Sequence, residues 1–423
     1  MLQIPFLREN KSDVIDRYQK RGLEAEPIID SILELDDQRK ATQTQLDADL
    51  AESNQLAKQI GGLFKEGKVE EANELKAKTK DLKESSHLLK EKLHAIEANQ
   101  IQALYQLPNV PNTKVPTGNS EADNELISSH GNAPSFSFEP KPHWELAKEF
   151  GLIDFELGVK ISGAGFPVYQ GKGAKLQRAL INFFLDEAES AGYSEVIPPL
   201  LVNEASGIGT GQLPDKEGQM YHVTEDDLYL IPTAEVPITN IYRDVILKED
   251  DFPIKSCGFT PCFRREAGSY GKDVRGLNRL HQFDKVEIVQ IQHPNNSYEA
   301  LNEMVNHIKG LLDKLGLQYR VLLLCGGDLG FTSAITYDFE VYSAAQNKWL
   351  EVSSVSNFET FQANRLKLRY KNESGKTELA HTLNGSALAL PRVMAALMEN
   401  YQTETGIEIP EILHTYTKFE KID

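Results

Sequence analysis

The stretch FRREAGSYGKDVRGLNRLHQFDKVEIVQI, Phe263 to Ile291, gathers the residue types that bind phosphates and bases: arginines, acids, an aromatic and a polar turn. It starts like a strand, passes through a loop with Gly268, Gly271 and Gly276, and ends in an alternating strand, which reads as a hairpin. If both limbs are strands, Arg264 and Glu266 share a face about 6.6 Å apart, and Phe283 and Glu287 share one about 13 Å apart. A guanidinium fork can donate two parallel hydrogen bonds to a phosphate, and an aromatic plate can stack on a base. A structural ladder of ion pairs would use the same residue types equally well.

No GxxxxGK[ST] occurs, and no GxGxxG follows a strand and opens a helix, so phosphate binding by a glycine cradle is not expected. The runs GKG at Gly171–Gly173 and GIGTGQ at Gly207–Gln212 read as turn glycines. Cys257, Cys262 and Cys325 are three in number and not paired as CxxC, which suggests neither disulfides nor zinc and fits reduced cytoplasmic thiols. A net charge of −18 disfavours non-specific binding to DNA, because such a field repels phosphate; any nucleic-acid contact must be local. No apolar run of about 18 residues is present, and MLQIPFLREN has no signal-peptide pattern, so a membrane or exported protein is not expected.

The elements that would carry these residues fall into segments. From Pro27 to about Leu104, Glu, Lys, Gln, Ala and Leu dominate; Leu75, Leu82, Leu89 and Ile96 recur every seven residues, and Ile28, Leu35, Leu46, Leu56 and Ile60 give a looser stripe. Two antiparallel helices joined by a turn over GGLFKEGK, Gly61–Lys68, are expected, with about 33 residues per arm and a reach of roughly 50 Å. Asp30, Glu34, Asp36, Asp37, Asp47 and Asp49 lie in the first helix, and Lys76, Lys78, Lys80 and Lys83 in the second. That segregation reads as a solvated coiled-coil surface before it reads as a nucleic-acid face. A proline-punctuated linker over 108–142 follows, then an α+β body over 143–423, with a helix near Gly173–Gly192 and strands in LYLIP, DKVEIVQI and KWLEVSSV.

The Phe263–Ile291 segment resembles the second signature motif of class II aminoacyl-tRNA synthetases in its seryl form. GYSEVIPPLLVN, Gly192–Asn203, resembles the first motif, and NGSALALPRVMAALMENYQ, Asn384–Gln402, the third. TAEVP at Thr233–Pro237 and EVSSVSNFETFQ at Glu351–Gln362 also resemble the seryl family, and with the arm the likeness spans essentially the whole chain. It implies an antiparallel catalytic sheet flanked by helices, an N-terminal tRNA-binding domain over 1–107 with a helical hairpin, and a homodimer. It implies ATP as substrate with Mg2+, no zinc, and L-serine and tRNA(Ser) as partners, and it leaves open a selenocysteine tRNA as a further acceptor. Arg264 and Arg392 would be catalytic. Arg264, Arg265, Glu266, Phe283, Glu351, Val352, Ser353, Ser354 and Arg392 would bind ATP, with Glu351 and Ser354 toward the metal. Thr233, Ala234, Glu235, Arg264, Glu287 and Ser386 would bind serine.

Gly326, Ile335 and Pro391 depart from the family's commonest residues, and none is expected to touch the named ligands. A carrier-protein aminoacylase on the same core would lack the arm. A scaffold with a dead nucleotide fold would have lost one of Arg264, Glu266, Glu287 or Arg392, and all four are present.

Overall fold

The computed structural model describes residues 1–215, 218–266 and 275–423. They form two compact units, one of residues 2–16 and 23–108, the other of Met1, 17–22 and 109–423. Gly268 and Gly271 of the expected hairpin loop lie outside the described residues.

In the first unit, helix α1 (Glu26–Lys65) runs antiparallel to α2 (Val69–Leu104). Their 40 and 36 residues correspond to roughly 60 and 54 Å. The turn is tighter than the glycine spacing suggests: Gly61 and Gly62 are helical, and Gly67 alone takes a left-handed φ of 79° to reverse the chain. The heptad positions of α2 do form the seam, with Ile96 buried and Leu75, Leu82 and Leu89 half-buried. The facing seam of α1 differs from the expected stripe, since it buries Ile29 and Ile32 in place of Ile28 and Leu35 and also takes in Asp36, Thr42 and Asp49. Asp36 is held by Arg8, Arg39 and Lys40, and Asp49 accepts from Ser85 of α2 at 2.6 Å. Two of the acids expected on a solvated face are therefore buried among donors, the only setting in which a buried carboxylate is tolerated, and Asp49 links the two helices.

The second unit is built on a sheet of eight strands: β1 (Glu125–His130), β2 (Ser194–Glu195), β3 (Ile254–Phe263), β4 (Gln282–Gln292), β5 (Tyr319–Leu323), β6 (Ile335–Ser343), β7 (Lys348–Glu359) and β8 (His381–Ala389). Their spatial order is β1-β5-β6-β7-β8-β4-β3-β2, antiparallel except for the β2–β3 edge. Alternation sorts β4 into two faces: Val286 and Ile288 enter the apolar core, while Phe283, Lys285 and Glu287 point the other way. Helices α3 (Gly171–Ser190), α4 (Ser297–Lys314) and α5 (Leu390–Asn400) contribute Phe183, Phe184, Met304, Ile308, Val393 and Met394 to that core. The α+β architecture is as the sequence implied.

The stretch read as a linker belongs to this unit. Asn109 donates its side-chain amide to the Thr332 and Phe358 carbonyls, and β1 forms one edge of the sheet. Gly326 is explained by close approach, since a Cβ there would lie 1.9 Å from the Lys20 carbonyl oxygen. Ile335 is core. No helix among the described residues is long and apolar enough to cross a membrane.

Candidate active site

The outward face of β4 forms the floor of a cavity of about 550 Å³. Its lining includes Thr233, Glu235, Arg264, Glu266, Phe283, Glu287, Glu351, Val352, Ser353, Ser354, Ser386 and Arg392. Residues separated by up to 159 positions thus converge, because β3, β4, β7 and β8 are packed side by side and the N-terminus of α5 follows directly from β8. Ala234 and Arg265 do not line it: Ala234 is buried with Ile238 and Val289, and the Arg265 guanidinium lies 5.2 Å from the Tyr221 ring. Pro391, expected to stand clear, lines the cavity next to Arg392.

Arg264 and Glu266 do not share a strand face as expected, because β3 ends at Phe263. Arg264 donates its backbone amide to the His281 carbonyl and its Nε to the Pro232 carbonyl, and its guanidinium stands 5.2 Å from the Phe283 ring. Glu266 turns at φ 49° and pairs with Arg279 at 3.0 Å. Four consecutive residues of β7 can all reach the cavity because the β6–β7 register slips there: Phe339 opposes Ser353 and Glu340 opposes Glu351, leaving Val352 as a bulge. Arg392 donates to the Glu351 carbonyl at 2.7 Å and to the Asn278 carbonyl at 3.2 Å.

At the other end of the cavity, two buried acids share one amide. Asn384 donates to Glu235 at 2.8 Å and to Glu287 at 3.1 Å; Lys285 lies 2.5 Å from Glu287, and Gln362 donates to Glu235 at 2.6 Å. Burial, then repulsion from Glu287, pushes the Glu235 carboxyl up to about 7 against these donors. Burial also raises Glu287, opposed chiefly by Lys285. Glu287 faces Ser386 across the β4–β8 ladder, and Thr233 donates its hydroxyl to Glu287. A carboxylate pair with one lysine carries a net negative charge suited to an ammonium group.

The reading from sequence overlooked Lys285, Asn384, Gln362 and Asp338. Lys285 was legible from the alternation of Phe283 and Glu287. Gln362 and Asn384 fall within the quoted runs Glu351–Gln362 and Asn384–Gln402 without a role assigned to them, and Asp338 had no local signal, since it acts through Ser354. Asp338 accepts the Ser354 hydroxyl hydrogen at 2.6 Å, which leaves the Ser354 lone pairs for another electrophile. Burial and Glu351 raise the Asp338 carboxyl well above its usual range.

Comparison with known proteins matches residues 1–111 to the family model "Seryl-tRNA synthetase N-terminal domain" and residues 220–401 to "tRNA synthetase class II core domain (G, H, P, S and T)". The serine–tRNA ligase of Salinibacter ruber is 52% identical over 424 residues, covering 100% of this chain and 99% of the relative. That of Methylacidiphilum infernorum is 48% identical, covering 99% and 100%. The crystal structure of seryl-tRNA synthetase from Pyrococcus horikoshii complexed with ATP superposes with a TM-score of 0.93 at 35% identity, covering 100% of this chain and 99% of that one.

Proposed function

Because the chain belongs to the seryl-tRNA synthetase family and is a serine–tRNA ligase that uses ATP, we propose that the cavity on β4 performs both steps, with its two ends dividing the substrates. ATP takes the end walled by Arg264, Glu266, Phe283, Glu351 and Arg392, and serine the end walled by Thr233, Glu235, Glu287 and Ser386. The observation that carries this division is the placement of Arg264 between Phe283 and the Pro232–Glu235 segment.

In the first step the serine carboxylate attacks the α-phosphorus in line and pyrophosphate leaves. Arg264 bridges the nucleophile and the α-phosphate, so both reactants are held in one orientation and the charge on phosphorus is offset. Phe283 and Arg392 clamp the base between an aromatic face and a guanidinium plane. In the second step a ribose hydroxyl at the tRNA end attacks the mixed anhydride and AMP leaves. No side chain becomes covalently modified.

Magnesium would be held by Glu351 and Ser354. Their oxygens are hard ligands, and the Asp338 hydrogen bond turns the Ser354 lone pairs outward. Two protein oxygens would leave room for phosphate and water oxygens, as suits an ion bound together with a nucleotide. Bound there, it would neutralise phosphate charge.

Glu287 and Glu235 receive the serine ammonium, and Thr233 and Ser386 surround its hydroxyl. A site that hydrogen-bonds a hydroxyl rejects the analogue lacking it by roughly 10⁴-fold, which excludes alanine. Since the Glu235 carboxyl titrates at about 7, it is charged at pH 8 and mostly neutral at pH 6. The KM for serine in pyrophosphate exchange is expected to rise about tenfold between pH 8 and pH 6, while that for ATP does not follow. Parallel rises in both would remove Glu235 from serine binding.

We place the enzyme in the cytoplasm on its three buried, unpaired thiols, and read it as a homodimer. Ile197 in the first motif is 86% exposed beside Pro198 and Pro199, and Val159 and Ile161 are also exposed. Such apolar surface suits a subunit interface. Ile197→Asp is expected to sediment as a monomer where the native protein sediments as a dimer; a native monomer would contradict this.

A further inference from the structure

The cavity wall at Leu277–Leu280 is tied from behind to a histidine that does not itself line the cavity. We propose that His143 is a positioning residue for the ATP half of the reaction, acting through the Leu277 amide. This rests on the assignment to ATP of the cavity end walled by Glu266 and Arg392, which Asn278 and Arg279 of that wall hold.

His143 and Glu399 are both fully buried. Glu399 Oε1 accepts from the His143 backbone amide at 2.9 Å and lies 2.7 Å from His143 Nδ1. The Leu277 amide donates to His143 Nε2 at 2.8 Å. An N–H can donate only to a lone pair, so Nε2 is the unprotonated nitrogen and Nδ1 carries the hydrogen that it donates to Glu399. Burial works against the Glu399 charge, and the His143 and Ser343 hydrogen bonds outweigh it, holding the carboxyl below its usual range. Gln346 completes the unit: it donates to Glu399 at 2.8 Å and accepts from the Asn278 side-chain amide at 3.1 Å.

Two further observations direct this unit toward the nucleotide. Gly276 has φ 63°, and a Cβ there would fall 2.2 Å from His143 Nε2, so the chain passes close against the Nε2 edge of the imidazole just before it turns into the cavity. Beyond that point the Asn278 carbonyl accepts from Arg392 Nε, and Arg279 pairs with Glu266. Glu399 sits on α5, the helix that also carries Arg392. The imidazole, with Gln346 beside it, thus ties the helix bearing Arg392 to the strand-connecting segment that orients Arg392 and Glu266, and it is the imidazole that holds the Leu277 amide. Losing the Leu277 acceptor would leave a buried amide unpaired and release that spacing.

Two substitutions separate the roles of the two ring nitrogens. In His143→Asn the side-chain amide can replace Nδ1 as donor to Glu399 but cannot reach Leu277. In His143→Gln the terminal oxygen can replace Nε2 as acceptor from Leu277. His143→Asn is expected to raise the KM for ATP in pyrophosphate exchange about tenfold with the serine KM within about twofold, and His143→Gln to restore most of the difference. Equal loss in both variants, a joint rise of both KM values, or an unchanged ATP KM in His143→Asn would overturn the proposal. Amide hydrogen exchange at Leu277 gives a readout independent of activity and is expected to quicken in the Asn variant and stay slow in the Gln variant. Unchanged exchange in the Asn variant overturns the tether itself. Quickened exchange with an unmoved ATP KM leaves the tether standing but overturns its service to ATP, and with it the assignment of this wall. If the Asn variant does not fold, the Gln variant alone decides: it must keep Leu277 protected and ATP KM within about threefold of native, and failure of either overturns the proposal.

Discussion

Arg264→Ala is expected to lower serine-dependent exchange of pyrophosphate into ATP by roughly 10³-fold while leaving the unfolding temperature nearly unchanged. The size follows from position. Arg264 lies between the aromatic plate Phe283 and the Pro232–Glu235 segment, where the proposed arrangement has it touch the nucleophile and the phosphorus together. The small cost to stability follows from its surroundings, since its side chain lines a cavity and, among the described residues, makes one long hydrogen bond, 3.4 Å to the Pro232 carbonyl. Arg264→Lys should recover little, because an ammonium cannot engage two oxygens in the planar geometry of a guanidinium. Near-normal exchange by the alanine variant would refute the role.

The second large effect is expected from the helical hairpin. Residues 43–91 can be excised and the cut closed with a short glycine turn, which keeps the base of α1 and α2, including the Gln100 hydrogen bond to the Ile32 carbonyl. The shortened protein should form seryl-adenylate at close to the native rate and lose aminoacylation of tRNA by roughly 10³-fold. The net charge of −18 gives tRNA no general attraction to the surface, so binding must come from a local feature. The hairpin offers one, with exposed Lys78, Lys80 and Lys83 and with Lys76 stacked 4.5 Å from the Phe64 ring. Unchanged charging of tRNA would rule out this division of labour.

Much of this arrangement is visible in the residues alone, and the reasons differ from part to part. The seam of α2 was legible because heptad leucines announce a coiled coil, whereas the seam of α1 was not, because Asp36 and Asp49 occupy positions that pattern reading assigns to apolar side chains. The face of β4 was legible, since alternation on a regular strand places Phe283 and Glu287 together. The positions of Arg264 and Glu266 were not, because the strand ends at Phe263 and a left-handed residue at Glu266 redirects the chain. The participation of four successive residues at Glu351–Ser354 depends on a bulge, which requires knowledge of the neighbouring strand's register. The linker reading failed for a similar reason: prolines over 108–142 mark irregular backbone, but Asn109 and β1 bind that backbone to distant carbonyls and a sheet edge. What sequence spacing cannot supply are the partners of the buried groups, such as Gln362 for Glu235 and Glu399 for His143.

The convergence of Arg264 with the serine end of the cavity is the claim on which the rest depends, and calorimetric titration of a non-hydrolysable seryl-adenylate analogue tests it without catalysis. The native protein is expected to bind one analogue per chain, and Arg264→Ala to bind at least about 100-fold more weakly. Equal affinity in the two proteins would place the adenylate elsewhere.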